Sequence, residues 1–199
     1  MPRAALSEAD VESFRRKTVR AATRLFAEHG YAAVTMRAIA AELGTSPMAP
    51  YRYFDNKAEI FAMVRAEAYR RFADAQEAAF GDASMPSLER LFAMREAYVH
   101  FALEHSDEYR VMFELHQEPE ERYPRLVQES HRAFAALEEA ARRAIDEGVL
   151  AGEPRTVAHL LWSSLHGMMS LHLASKLTLG RTLDDLLRAP PLQILPPLR

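Results

Sequence analysis

Residues 35–57 read TMRAIAAELGTSPMAPYRYFDNK. Thr35 is a good N-cap and Gly44 a good stop, so a helix of about two turns lies between them. Thr45 and Ser46 form a short turn. Ser46 can cap the next element and Pro47 suits a first helical position, which predicts a third helix over 47–54. Asp55-Asn56 breaks it, and a fourth helix starts near Lys57 and runs to about Phe80. Upstream, Glu8 to His29 repeats apolar or small residues at Val11, Phe14, Thr18, Ala22, Leu25 and Phe26, the 3.6 period of an amphipathic helix, and Gly30 closes it. Two short helices joined by a tight turn and braced by a longer first one are the plan of a helix-turn-helix DNA reader, with Ala40 and Ala41 small enough for close approach.

From Ala21 to Phe61 the sequence resembles the tetracycline-repressor-like (TetR) regulators. The likeness lies in AATRLFAEHGY followed by TMRAIAAELGTSPMAPYRYFDNKAEIF, with Gly-Tyr, Ala-x-x-x-Gly and Tyr-x-Tyr-Phe-x-x-Lys elements at the family's spacing. The resemblance implies that Thr35, Ser46, Tyr51, Tyr53 and Lys57 hold phosphate oxygens. It also implies that Met48, Ala49 and Arg52, with Arg37 as an accessory, face base edges. The chemistry agrees: hydroxyls and helix N-termini donate to phosphate, and an ammonium near a helix start adds charge where the dipole favours an anion. Arg52 alone has strong coding power, because arginine grips guanine O6 and N7 together, whereas Met48 and Ala49 offer only apolar contact to a thymine methyl. Phe54 reads as a core ring. Pro50 departs from the family, which places Leu or Ile there; its missing amide means that the third helix starts late or has a distorted first turn.

The chain has 199 residues, 49% hydrophobic, enough for one good core or two small domains. Stretches free of proline and glycine, Tyr51 to Phe80 and Arg125 to Glu147, suit long helices. The absence of cysteine excludes disulfides, thiol nucleophiles and cysteine-ligated metal sites, and suits a reducing compartment. Met1 to Asp10 is charged and lacks an apolar run, so a cytoplasmic protein without a secretory signal is expected. The net charge of −3 hides an asymmetry: residues 1–57 hold nine Lys/Arg against six Asp/Glu, a weakly basic front on an acidic body. Arg15, Arg16, Lys17, Arg20 and Arg24 crowd one face of the first helix and receive no base contact.

Further helices are expected over 87–105, 107–114, 123–147, 155–177 and 183–187, with loops at 81–86, 117–119 and 148–154 and an extended proline-bearing tail over 189–199. The expected architecture is therefore all-α with about nine helices. It divides into a three-helix DNA-binding domain over 1–57, a linking helix over 57–80, and a ligand-binding and dimerisation bundle over 81–199.

Thr156 to Ser175 contains no Asp, Glu, Lys or Arg. Nine of its twenty residues are Thr, Ser, His or Gly, so a helix buried on more than one side is expected, not a membrane span. Ser163, Gly167, Ser170 and Ala174 form a small-residue stripe on one face. By the resemblance, the last two long helices build a four-helix homodimer contact, and the stripe lies there. Trp162, His166 and Gly167 also resemble the Trp-x-x-x-His-Gly signature of one C-terminal subgroup of the family. The family further implies an effector pocket between these helices and the front. Phe101, Met112, Phe113, Phe134, Trp162, His166 and Met169 are its candidate lining, with Phe92 and Tyr98 beside them, and few Lys or Arg are at hand, so a mainly apolar small molecule is expected.

The eight histidines include His100, His105, His159, His166 and His172, yet none shows the paired spacing of a zinc helix, and neither a metal nor a cofactor is expected. No nucleophile elbow, phosphate-binding glycine loop or dinucleotide fingerprint occurs, so no enzymatic activity is expected. These features predict a dimeric regulator that binds a palindromic double-stranded operator, most simply a repressor released by its effector. The alternative is an all-helical sensor or protein-interaction module without DNA binding.

Overall fold

The computed structural model describes residues 7–82, 84–113 and 120–188. The expected loop at 117–119 and the tail at 189–199 lie outside them, as does the start at 1–6. Helix α1 (Glu8–Ala33) opens on a capping box in which Ser7 and Asp10 satisfy each other's backbone N–H. Its buried stripe includes Val19, Ala22 and Phe26. Gly30, at φ 76°, interrupts the helix where the sequence places the stop, a conformation that side-chain-bearing residues adopt only at a cost. Helix α2 (Met36–Glu42) is capped by Thr35, whose hydroxyl accepts from Ala38 N–H at 3.1 Å. Ala40 is buried against its neighbours, but Ala41 faces outward and allows no close approach.

The third helix does not form as expected. In place of an α-helix over 47–54 there is one 3-10 turn, Pro50–Arg52, preceded by a single hydrogen-bonded turn, and Ser46 makes no capping bond. Pro50 is the physical reason. It has no N–H to give to the carbonyl of Ser46, so the α pattern cannot begin, and the segment closes on shorter links from Ala49 to Ser46 and from Arg52 to Ala49. Among the described residues there are thus eight α-helices and two 3-10 turns, and no strand.

Helix α3 (Lys57–Phe80) is the rod on which the molecule is built. Its first half places Ile60, Phe61 and Val64 in a core with Phe26, Ile39 and Phe54; its second half places Phe72 and Ala73 in a second core. α4 (Ser87–Glu104), α5 (Ser106–Phe113) and α6 (Pro124–Asp146) pack on that rod, with α7 (Pro154–Leu173) against α6 and α4, and α8 (Leu183–Arg188) against α7. A second 3-10 turn, Glu120–Arg122, leads into α6. The short α5 belongs to both cores: Val111 enters the first, while Tyr109 and Met112 enter the second.

Helix α7 ends earlier than its composition suggests. Lys176 N–H bonds to the carbonyl of Leu171 and Ser175 N–H to that of His172, closing the helix with Ser175 in the left-handed region at φ 55°. A serine there carries no glycine signal, which is why the periodic reading runs on to Leu177. Within the single subunit this helix is covered on one side. One face meets the body, but Leu160 and Leu171 are each 47% exposed and Ser163 and Ser164 face solvent. Among the described residues no other helix covers that side. No helix among the described residues is long and apolar enough to cross a membrane.

Candidate nucleic-acid interface

α2 and the turn after it present one continuous outer surface. Thr35, Arg37, Ser46, Tyr51 and Arg52 are exposed, and Met48 is 67% exposed, while Met36, Ile39, Pro50 and Phe54 point inward. Ala49 is half-buried. The cap uses Thr35 Oγ1 as an acceptor, which leaves the hydroxyl hydrogen to donate. Six of the nine side chains expected to meet DNA therefore lie on the outside, with Phe54 inside as expected, and three, Ala49, Tyr53 and Lys57, are half-buried.

Two of them are engaged by the protein itself. Tyr53 is half-buried, its ring stacked on Phe14 at 4.2 Å with an interplanar angle of 24°. Lys57 Nζ donates to the carbonyl of Tyr31 at 2.7 Å and reaches that of Ala32 at 3.5 Å, and it lies 4.2 Å from the Tyr31 ring centroid. The ammonium thereby satisfies carbonyls freed where Gly30 breaks α1. Asn56 caps α3 by accepting from Glu59 N–H at 3.0 Å, and Glu59 reaches back to Asp55 N–H at 2.7 Å. Both caps shape the exit from the turn.

The basic face of α1 divides. Arg16, Lys17, Arg20 and Arg24 are exposed, with Arg24 paired to Glu42 at 2.8 Å. Arg15 turns the other way, and its guanidinium donates to the carbonyl of Tyr53 at 2.9 Å. Sequence periodicity placed it with the exposed run, because no local signal tells a solvated arginine from one folded beneath a distant loop.

In the body, Phe101, Met112 and Met169 are fully buried in the second core, and Phe113, Trp162 and His166 are partly buried beside them. Their rings form a chain: Phe113 lies 4.9 Å from His166 and 6.0 Å from Trp162, and Phe134 lies 6.2 Å from Trp162. Phe92, half-buried, lies under the Arg95 guanidinium instead. Within the chain is a polar knot that residue-by-residue reading did not assemble. Tyr109 Oη is 2.7 Å from His166 Nδ1 and 3.0 Å from Tyr98 Oη, and Ser170 Oγ is 3.4 Å from His166 Nε2. Burial, reinforced by the Tyr109 phenol, pushes the Tyr98 phenol above its ordinary range. The spacing of Tyr109 and Phe113, four apart on α5, was the available signal for Tyr109.

On the open side of α7, Ser163 is exposed and Gly167 and Ser170 are half-buried, with Ala174 exposed at the C-cap just past the helix. A methyl group placed on Gly167 would meet nothing within 4 Å. Among the described residues no three His, Asp or Glu side chains converge on a point where a metal could bind.

Comparison with known proteins adds to this geometry. Residues 19–64 match the family model described as bacterial regulatory proteins, tetR family, and residues 91–189 match that of the tetracyclin repressor-like C-terminal domain. The two matches together span well over half of the chain. No protein of curated function matches the sequence. Among solved structures, a protein of unknown function from Rhodococcus sp. RHA1 is similar at TM-score 0.74 and 22% identity, covering 94% of this chain and 93% of its own. A bacterial regulatory protein in the tetR family from Rhodococcus RHA1 aligns at TM-score 0.68 and 22% identity, over 83% and 85%. The superantigen PfiT aligns at TM-score 0.72 and 20% identity, over 89% and 94%. At these identities the likeness establishes the fold alone, so function has to be argued from the surface.

Proposed function

We propose that this chain, which belongs to the tetR family of bacterial regulatory proteins, is a cytoplasmic homodimer that binds a palindromic DNA operator and represses until a mainly apolar effector enters its body. The observation that carries the reading is the outer surface of α2 and the following turn: Thr35, Ser46, Met48, Tyr51 and Arg52 project from it, while Ile39 and Phe54 anchor it from below. Thr35, Ser46, Tyr51, Tyr53 and Lys57 act on phosphates, and Arg52, with Met48, Ala49 and Arg37, reads bases.

The dimer is proposed through α6 and α7. The bare side of α7, with Leu160, Leu171, the gap at Gly167 and the small residues Ser163, Ser170 and Ala174, supports it, because a mid-helix glycine and exposed leucines gain most from a helix packed against them. Pairing sets two reading heads about 34 Å apart, one turn of DNA. The inward Trp162 and His166 and the outward Gly167 support placing the body in the Trp-His-Gly subgroup. Phe101, Met112, Phe113, Phe134, Trp162, His166 and Met169 are the proposed effector lining. Effector binding reaches DNA through α5, which touches both cores. A hundredfold release requires about 2.7 kcal/mol of differential affinity between the two arrangements of the heads.

Selection from a pool of randomised duplexes tests the reading. The expected product is a palindrome with a G in each half-site, bound two chains per duplex. Pro50 favours a second reading, a helical sensor that does not bind DNA, which predicts that no duplex is enriched.

A further inference from the structure

We infer that Arg15 is the positioning residue of the DNA-facing turn: from α1 it supplies the restraint that Pro50 takes away. Its consequence for DNA rests on the function proposed above; its structural part stands alone. Without the Pro50 N–H, the segment 46–54 is held by the links from Ala49 to Ser46, Arg52 to Ala49, and Tyr53 and Phe54 to Pro50. These bonds leave the far end of the turn to be held from outside. There the Tyr53 carbonyl takes Arg15 Nη2 at 2.9 Å, across 38 residues of sequence.

The neighbouring contacts act in the same sense. The Arg15 guanidinium lies 5.5 Å from the Phe54 ring centroid, and Phe14 stacks on Tyr53, so two consecutive residues of α1 grip two consecutive residues of the turn. Arg15 Nε is buried with no hydrogen-bond partner, a cost that a freely solvated arginine would avoid by swinging outward. Arg16, Lys17 and Arg20 do face outward, so the inward course of Arg15 is particular to it. A cleft of about 430 Å³ separates α1 from the turn, with Val11 and Arg15 on one wall and Tyr51 and Arg52 on the other. Two residues beyond Tyr53, Glu59 holds Asp55 N–H. The turn is thus clamped at 53 and 55 while Met48, Tyr51 and Arg52 stay exposed, and a loop held in its binding shape loses less freedom when it docks.

The test couples Arg15 to Pro50. Arg15→Met keeps the apolar stem and removes the donors; Pro50→Ala restores the missing amide and lets 47–54 wind into an α-helix. Amide hydrogen exchange is measured at Arg52, Tyr53 and Phe54, with α6 as reference. Arg15→Met is expected to speed the turn amides roughly tenfold and leave α6 unchanged, whereas with Pro50→Ala present the acceleration falls below about threefold. With a duplex selected by the parent chain, Arg15→Met is expected to cut the affinity ratio of selected over scrambled DNA about tenfold at an unchanged salt slope, and Arg15→Lys to recover part of it. Equal exchange in Arg15→Met and parent, or equal acceleration with and without Pro50→Ala, overturns the inference. So does a salt slope reduced by about one, which makes Arg15 a phosphate ligand. Should no duplex be selected, the DNA-reading function falls and the exchange comparison still decides the clamp. If Arg15→Met does not fold, Arg15→Leu, which likewise keeps an apolar stem and carries no donor, serves for the same comparison.

Discussion

The Tyr109 hydroxyl lies 2.7 Å from Nδ1 of His166, so α5 and α7 meet through a polar contact inside a largely apolar core. α5 also sends Val111 into the core beneath α2 and the turn after it, so this contact joins the body to the element that touches the front. Tyr109→Phe keeps the ring and removes the shortest polar link to His166. An intramolecular hydrogen bond contributes about 0.5–1.5 kcal/mol net, so the urea midpoint is expected to fall correspondingly with an unchanged m-value. A midpoint equal to the parent's would show that the contact contributes nothing to stability.

Arg52 and Lys57 are expected to fail differently. Arg52→Ala removes the proposed bidentate base reader and is expected to lower discrimination among duplexes by about 1–3 kcal/mol, with nonspecific affinity little changed. Lys57→Ala weakens selected and scrambled DNA alike and lowers the salt slope by about one, even though its ammonium is held by Tyr31 in the unbound chain. Titrations at four salt concentrations separate the two, and identical profiles for both variants would remove the division between base readers and phosphate grips.

Leu171 sits 47% exposed on the bare side of α7. Leu171→Glu places a charge where a second copy is proposed to pack, and sedimentation velocity is expected to show monomer at concentrations where the parent is dimeric, with the helical content unchanged. A variant that sediments like the parent would move the dimer contact elsewhere.

Glu108 gives a pH signature. Burial pushes its carboxyl above the ordinary glutamate value of 4.5, against the opposing pull of the Arg71 and His105 charges. A carboxyl whose folded pKa is raised adds stability while protonated and loses it as pH rises through the folded value. Relative to the parent, Glu108→Gln should therefore gain stability as pH climbs from about 4.5 through that raised value, then level off. Thermal melts across that window check the sign; a constant difference would mean that Glu108 ionises as it does in the unfolded chain.

The parts of this fold that were legible from residues alone are those governed by neighbours in sequence. Thr35 caps α2, Gly44 follows its end, and Gly30 breaks α1 because a cap or a left-handed residue acts within a turn of itself. The buried Phe54 was also legible, and the outward Met48 and Arg52 followed from the family resemblance. Pro50 announced a distortion, since a missing amide is visible in any sequence, but its outcome, a single 3-10 turn, depended on which remaining carbonyls the chain could still satisfy.

Other features arose only when distant segments met. Whether Arg15 faced water or Tyr53, whether the Lys57 ammonium stayed free or took the Tyr31 carbonyl, and which phenol reached His166 were decided by partners 38, 26 and 57 residues away. The end of α7 at Leu173 and its uncovered side were settled likewise, by a serine in a glycine's conformation and by which helices reached it. Helix-forming pattern and capping are local interactions, written in adjacent residues. The choice of partner for a long polar side chain is a competition among everything the fold brings within reach, and that competition exists only in the folded chain.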